Sequence, residues 1–428
     1  MGCRWGSVRL GRDWSAAVTS PQPAGSRQAE RRPVCMIVHA YYEEDSRVRR
    51  EAESLVARGW PVEVFALRRP EDPAEGNVEG VRVHRLDVQR HQGAGLMTYL
   101  REYLAFLARS GWALTCAHRR RRFGLVEVHT LPDFLVFAGL PLRLMGVPLV
   151  IDLHEAMPEF FRMRFPKASN PIVQRLLVLQ ERLSIALANA AITVNDALAA
   201  RLVDLGVAPD KITVLLNTPS LARFDPTVQL ERAFAADGTV RLVYAGALTP
   251  TYELAVAVDA VARLAAIRPE IAISLDVYGR GDSEAALRAQ VAQLRLEERV
   301  RFHGRIPLED VPAAIAAADI GIAPTRRDPF TDFSLSTKIF EYGAMGKPVV
   351  ASRLPLVERT FPAGSVSTYE PGDADSLARA IVALLDDRDL RDSAVAATTT
   401  RIRGLSWEHE ADRLAALVQR LAPDRLSS

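Results

Sequence analysis

The chain is short of several residue types, and each shortage excludes something. Cysteine occurs only at Cys3, Cys35 and Cys116 in 428 residues. The count is odd and no two cysteines sit at a paired-ligand spacing, so neither a disulfide scaffold nor a zinc module is expected, and a reducing cytoplasm fits. No run approaches the ~18 uncharged apolar residues of a membrane-spanning helix, so an integral helical membrane protein is not expected. A large excess of one charge is also lacking: the net charge is +2. Residues 1–33 carry six arginines against Asp13 and Glu30, a local +4, which leaves about −2 for the rest and argues against a protein that coats nucleic acid. Lysine is scarce, with four residues (Lys167, Lys211, Lys338, Lys347) beside 50 arginines. No Ser–His–Asp, zinc or Walker pattern occurs, and "YGRGDS" lacks the third glycine of a dinucleotide fingerprint. Asp373/Asp375 and Asp387/Asp389 mimic metal-binding pairs but fall in capping or turn contexts, so no metal ligand set is expected.

What is present has the profile of a globular protein. The composition is 48% hydrophobic and 25% charged, which is not that of a disordered chain. The length suits two domains of near 200 residues. Residues 1–33 are aperiodic and rich in Arg, Ser, Gly and Pro, without the apolar segment of a secretory signal, and read as a disordered tail or a misassigned start. Strand-like runs then alternate with helical spacing: "VCMIVHA" (34–40), "VEVFAL" (62–67), "LVEVH" (125–129), "PLVIDLH" (148–154), "AAITVN" (190–195) and "KITVLLN" (211–217). A polar segment, 224–238, interrupts, and a second series follows: "VRLVYAG" (240–246), "AISLDVYG" (272–279), "VRFHG" (300–304), "IGIAP" (320–324) and "PVVAS" (348–352). This rhythm predicts an α/β chain of two facing Rossmann-like domains with parallel sheets, 34–223 and 239–404, joined by the linker 224–238 and followed by a terminal segment, 405–428. In such sheets ligands lie beyond the carboxyl ends of the strands.

The most informative segment is "SLSTKIFEYGAMGKPVVAS" (334–352). Ser334, Ser336 and Thr337 precede an apolar helical run and form a good helix start. Lys338 adds positive charge in the first turn of an anion-binding helix N-terminus, and Glu341 follows one turn later on the same face. Phosphate contacts at the start and a carboxylate farther in suit a sugar nucleotide. The same spacing reads equally as a plain amphipathic helix with an i,i+3 Lys–Glu pair.

"KIFEYGAMGKPVVAS" resembles the donor-site signature of retaining GT-B glycosyltransferases of the family-4 type. The resemblance runs in order from about Val34 to Leu421 and includes "DSRVRREAESLVARGWPVEVFAL", "PLVIDLHE", "LDVYGRGDSEAALRAQV" and "LSWEHEADRLAALVQRL". It implies a GT-B fold whose last helix, in 405–428, packs back on the first domain. It also implies a nucleotide-sugar donor in the second domain, a sugar, lipid-linked or other hydroxyl acceptor on the first, and no essential metal or other cofactor. In that reading His154 and Glu341 act at the reacting sugar, with His154 facing it. Gly246, Arg305, Thr337, Lys338 and Glu341 hold the donor, while Asp45, Arg47, His129 and Asp133 line the acceptor side or cap helices instead.

Two departures stand out. The family's Glu–seven–Glu motif is half present, with Phe333 in place of the first glutamate. The loop "GALTPTYE" (246–253) lacks the Arg and Lys that many members use to hold the diphosphate. Arg280, Arg305 and Arg326 each follow a strand and are the candidate substitutes, Arg305 first. The expected function is retaining, metal-independent glycosyl transfer in polysaccharide, glycolipid or glycoconjugate synthesis. The alternatives are an inactive scaffold that binds a nucleotide-sugar or a partner, and an epimerase whose carboxylate–histidine cluster cannot be assembled from the sequence. Two basic–apolar stretches, Tyr99–Phe123 and "FFRMRFPK" (160–167), suit peripheral contact with an anionic inner membrane face, and no nucleic-acid partner is expected.

Overall fold

The computed structural model describes residues 31–91, 95–230 and 232–423. Up to residue 30, the expected tail lies outside the described residues. Residues 31–33 already lead into the first strand, with the Arg31 guanidinium 3.8 Å from the centre of the Trp60 ring.

Short apolar runs buried on both faces form parallel strands, because only a helix-covered sheet can bury both sides of a strand. The first sheet contains β1 (Val34–Ile37), β2 (Val62–Leu67), β3 (Glu75–Val78), β4 (Val81–Leu86), β5 (Leu125–His129), β6 (Leu149–Leu153), β7 (Ala190–Thr193) and β8 (Ile212–Val214). Its order is β3-β4-β2-β1-β5-β6-β7-β8, parallel except for the β3–β4 hairpin. The second sheet contains β9 (Thr239–Ala245), β10 (Ala272–Tyr278), β11 (Val300–Gly304), β12 (Ile320–Ala323), β13 (Val349–Ser352) and β14 (Ser367–Tyr369), in the order β11-β10-β9-β12-β13-β14, all parallel.

Every strand-like run of the sequence forms a strand, and β3, β4 and β14 are additions. The hairpin turns through Glu79 and Gly80, at φ 50° and 83°, the doubly left-handed turn that matches strand twist. β3 carries too little apolar character to announce itself, and β14 is three residues long.

The strand order reverses at β1 and at β9. The segments after both strands, Ala40–Tyr41 and Gly246–Ala247, line one cavity, so the carboxyl ends of the two sheets face each other across a cleft. The helix Ser46–Ala57 opens on Asp45, whose carboxylate accepts from the N–H groups of Arg47 and Val48 at 3.1 and 3.0 Å. The last helix, Trp407–Leu421, leaves the second domain and packs on the first. Its Leu414, Leu417 and Val418 join a core with Val34, Met36, Val48 and Leu55, and Asp412 pairs with Arg58 at 2.6 Å. Asp373 and Asp387 cap helices, accepting from Ser376 and Leu390 N–H at 2.9 Å each.

Among the described residues no helix is long and apolar enough to cross a membrane. In "FFRMRFPK" the aromatics are partly engaged within the fold, with Phe160 and Phe165 half-buried. Phe161 is buried, the Phe160 ring packs on Phe330 of the second domain, and Phe165 packs on Tyr99. The stretch thus contributes aromatic packing to the seam beside the cleft.

Candidate active site

The cleft holds two adjoining cavities. The larger, of about 860 Å³, lies where the two domains meet, and six cations line it: Arg50, Arg90, Arg223, Arg280, Arg305 and Lys338. Three carboxylates share its wall, Glu44, Asp45 and Glu341. The excess positive charge suits an anion the size of a nucleoside diphosphate. The smaller cavity, of about 260 Å³, is lined by His154, Glu155, Asn195, Asn217, Ser334 and Ser336, with Phe330, Phe333 and Phe340 among its apolar walls. Asp45, Ser46, Tyr252 and Thr337 belong to both.

Lys338 sits in the first turn of the helix Thr337–Ala344 and is 4% exposed. It does not pair with Glu341. Its ammonium lies 3.7 Å from the Tyr252 ring centre and 5.0 Å from that of Tyr244. Among the described residues it pairs with no carboxylate, so a buried cation is held by two aromatic faces with its charge available to the cavity. Ser336 leaves the helix start without a side-chain cap, so first-turn N–H groups remain to meet an anion. Gly246 is required here: a Cβ at that position would collide with the Lys338 side chain, 2.8 Å from Nζ. At Gly279 a Cβ would collide with the Gly246 carbonyl.

Glu341 is half-buried beside the larger cavity. Burial pushes its carboxyl up, against the opposing pull of Lys338, Arg50 and Arg223. Arg305 reaches the cavity but ion-pairs with Glu44 across the cleft, and Arg280 lines the same wall. Arg326 does neither, because it closes on Asp328 at 3.0 Å within its own loop. Cations absent from "GALTPTYE" thus reach this cavity from other segments of the chain. Arg50 bonds the Asn217 side chain, and burial together with the charge of Arg47 lowers its guanidinium to about 10.

His154 stands at the smaller cavity, its Nε2 2.9 Å from Asp152 and 3.3 Å from His129 Nδ1. Asp152, buried at the end of β6, accepts from Arg47 Nε and Nη2 at 2.8 and 2.9 Å. Burial alone would raise the Asp152 carboxyl. Arg47, His154 and His129 outweigh it and hold it well below the usual range. His129 is itself buried, yet Asp152 and the charge of Glu51 raise its imidazole. Glu127, buried in the same group, is pushed up to about 8. Glu51, Glu127, His129 and Asp152 converge closely enough for a metal ion, but the Arg47 guanidinium already lies 3.0 Å from Glu51 and bonds Asp152 in bidentate fashion. A cation of the chain itself meets that charge.

Two expected acceptor-side residues are therefore displaced. His129 is wholly buried and supports Asp152 and His154 from below. Asp133 is buried in the short turn Asp133–Gly139, away from both cavities; burial and Glu181 raise its carboxyl. Arg47 touches the smaller cavity but spends its guanidinium on Asp152, while Asp45 combines capping with a place in both walls. The sequence did not single out Arg50, Arg223, Tyr252, Asn195 or Glu155. Glu155 follows His154 and is pushed up to about 7 by burial alone. Only its adjacency to the "DLH" run could have drawn notice.

Comparison with known proteins decides the family. Residues 45–218 match the glycosyl transferase 4-like domain and residues 239–387 the glycosyl transferases group 1 domain. The chain belongs to the family-4 type of GT-B glycosyltransferases. It is 26% identical to a D-inositol 3-phosphate glycosyltransferase of Pseudarthrobacter chlorophenolicus over 85% of this chain and 87% of that one. A phosphatidyl-myo-inositol mannosyltransferase of Mycobacterium leprae is 34% identical over 35% of this chain and 38% of its own. Among solved structures, sucrose-phosphate synthase from Thermosynechococcus elongatus superposes with a TM-score of 0.72 at 19% identity, covering 91% of this chain and 99% of that one. HepE of Anabaena, solved with UDP and glucose, gives 0.66 at 15% identity over 91% and 100%. These likenesses show the GT-B fold of this transferase.

Proposed function

We propose that the transferase moves a sugar from a nucleotide-sugar to a hydroxyl acceptor, with retention at the anomeric carbon and without a required metal ion. The observation that carries this reading is Lys338, a buried cation that pairs with no carboxylate among the described residues, at an uncapped helix start in a cavity lined by five further cations. There Lys338 and the first-turn N–H groups would meet the departing diphosphate, with Arg280 and Arg305 lining the same cavity. Such fixed donors act on charge that grows in the transition state. Glu341 accepts hydroxyl bonds from the ribose or sugar. The smaller cavity takes the transferred sugar, with His154 oriented toward it by Asp152 and the acceptor entering past Asp45 and Glu155. Retention follows if the leaving phosphate and the incoming hydroxyl share one face of the sugar. The acceptor class is a sugar or a lipid-linked hydroxyl, as the names of the inositol-directed relatives suggest, in glycolipid, polysaccharide or glycoconjugate synthesis at the cytoplasmic side. The inactive-scaffold alternative drew on Phe333 and the cation-poor loop, and no feature of the cavity favours it over transfer.

Thermal unfolding with UDP-, GDP-, ADP- and dTDP-sugars, with and without EDTA, tests the reading. One nucleotide should raise the midpoint equally in both, since a ligand at 100 times its Kd stabilises by ~2.7 kcal/mol. Lys338→Ala should abolish that shift and lower turnover on the order of 100-fold, with the unliganded midpoint retained. A shift that vanishes in EDTA, or a variant with normal turnover, refutes it.

A further inference from the structure

On the outer side of the first domain two helices turn apolar residues to solvent. The helix Pro171–Leu187 exposes Ile172, Leu176, Leu179 and Leu183, 52–69% accessible and spaced four, three and four residues apart, so they form one stripe. Its buried side carries Glu181, held by Arg201 at 2.7 Å, beside Ser184 and Ile185. The helix Leu96–Arg121 repeats the inversion near its start. Met97, Leu100 and Leu104 are exposed, while Glu102 is buried against His39 at 3.0 Å. Both helices pack on the segment Asp133–Gly139, so the two stripes share one side of the sheet.

The charges on these helices are as one-sided as the apolar residues. Glu102 and Glu181 are their only carboxylates, and both are buried. The exposed charges are all arginine: Arg101, Arg109, Arg175, Arg182 and the run Arg119–Arg121. An apolar stripe on helices whose own exposed charges are all cationic complements an anionic headgroup layer over hydrocarbon. A second copy of the chain fits poorly, because a two-fold contact through this face would set arginine against arginine.

We propose that this face docks the transferase on an anionic lipid leaflet, from which a lipid-linked acceptor enters the cleft; the second clause rests on the transfer reaction proposed above. The chain itself links the two regions. Glu155 and Ala156 in the wall of the smaller cavity lead directly into the helix Met157–Arg164 and on to the exposed helix at Pro171. In this arrangement the leaflet adjoins the acceptor side of the cleft.

Co-sedimentation of the full chain with phosphatidylcholine vesicles, with and without phosphatidylglycerol, tests the docking. Binding should be about tenfold stronger with the anionic lipid and should weaken in high salt. The double variant Leu176→Glu/Leu179→Glu should lose at least about tenfold of that binding while keeping its melting midpoint and its donor-induced shift. Arg175→Glu/Arg182→Glu should lose binding to anionic vesicles specifically. Equal binding to both vesicle types, no binding, or unchanged binding of the leucine variant overturns the proposal. So does a wild-type dimer that the leucine variant splits, in the absence of vesicle binding. Vesicle binding that persists without any donor shift counts against the transfer reading and supports the docking.

Discussion

Glu155 shows how little of a residue's chemistry is visible in its letter. In sequence it is one acid after a strand; in the fold it stands next to His154 in the smaller cavity, and burial lifts its carboxyl to about 7. If its ionised form receives an acceptor hydroxyl, kcat/KM should climb as pH rises through about 7 and level off above. Glu155→Gln should flatten that limb of the profile. A wild-type limb retained in the variant would assign the ionisation elsewhere. Lys338 and Glu341 were legible for the opposite reason. They lie within one continuous segment, where a helix start, a lysine and a carboxylate one turn on declare an anion site without tertiary information. Arg50, Arg223 and Tyr252 come from three distant segments and meet only when the domains do, so no local pattern marks them. His129 and Asp133 were read as lining the acceptor side or capping helices because a polar residue after a strand reads as cleft-facing, whereas both are wholly buried.

At the scale of the element, β6 is an apolar run with a charge near its carboxyl end. Asp152 ties β5, through His129, and the helix Ser46–Ala57, through Arg47, to the strand that delivers His154. A carboxylate in a strand buried on both faces survives because three cationic or imidazole partners enclose it. Asp152→Ala leaves Arg47 buried without its bidentate partner and should cost about 3–5 kcal/mol, read as a lower unfolding midpoint of the first domain. Because His154 also loses its anchor, kcat should drop further than the small remaining fraction of unfolded chain explains. Normal kcat in the folded fraction would reduce the network to a purely structural role. The strands themselves were plain in the sequence, since short β-branched runs bounded by turns have few other uses. The hairpin of β3 and β4 was not, because its pattern alternates weakly and its turn is a Glu-Gly pair rather than Asn-Gly.

At the scale of the molecule, two sheets and a returning helix build a cleft whose walls belong to different domains. The two-domain α/β arrangement was legible from the repeated strand–helix rhythm, and the returning helix from resemblance alone. The inverted helices on the outer face were hidden, because an amphipathic pattern says which residues share a face and not whether that face turns in or out.

Among the described residues the links that span the cleft are mostly polar. Asn195 donates to the Phe333 carbonyl at 2.8 Å, Arg49 pairs with Glu309 at 3.0 Å, Arg164 meets Asp282 at 3.3 Å and Arg305 pairs with Glu44. Beside them stand the Phe160–Phe330 ring contact and a 3.9 Å contact of the Thr251 hydroxyl with the Met163 sulfur, and the solvent-exposed ion pairs among these links are worth ~0–1 kcal/mol each. Lobes held in this way are expected to part on the microsecond-to-millisecond scale of hinge motion. Turnover should then be paced by the escape of the spent nucleotide rather than by bond exchange. Added viscogen should slow kcat in proportion to solvent viscosity, and a kcat indifferent to viscosity would return control to the chemical step.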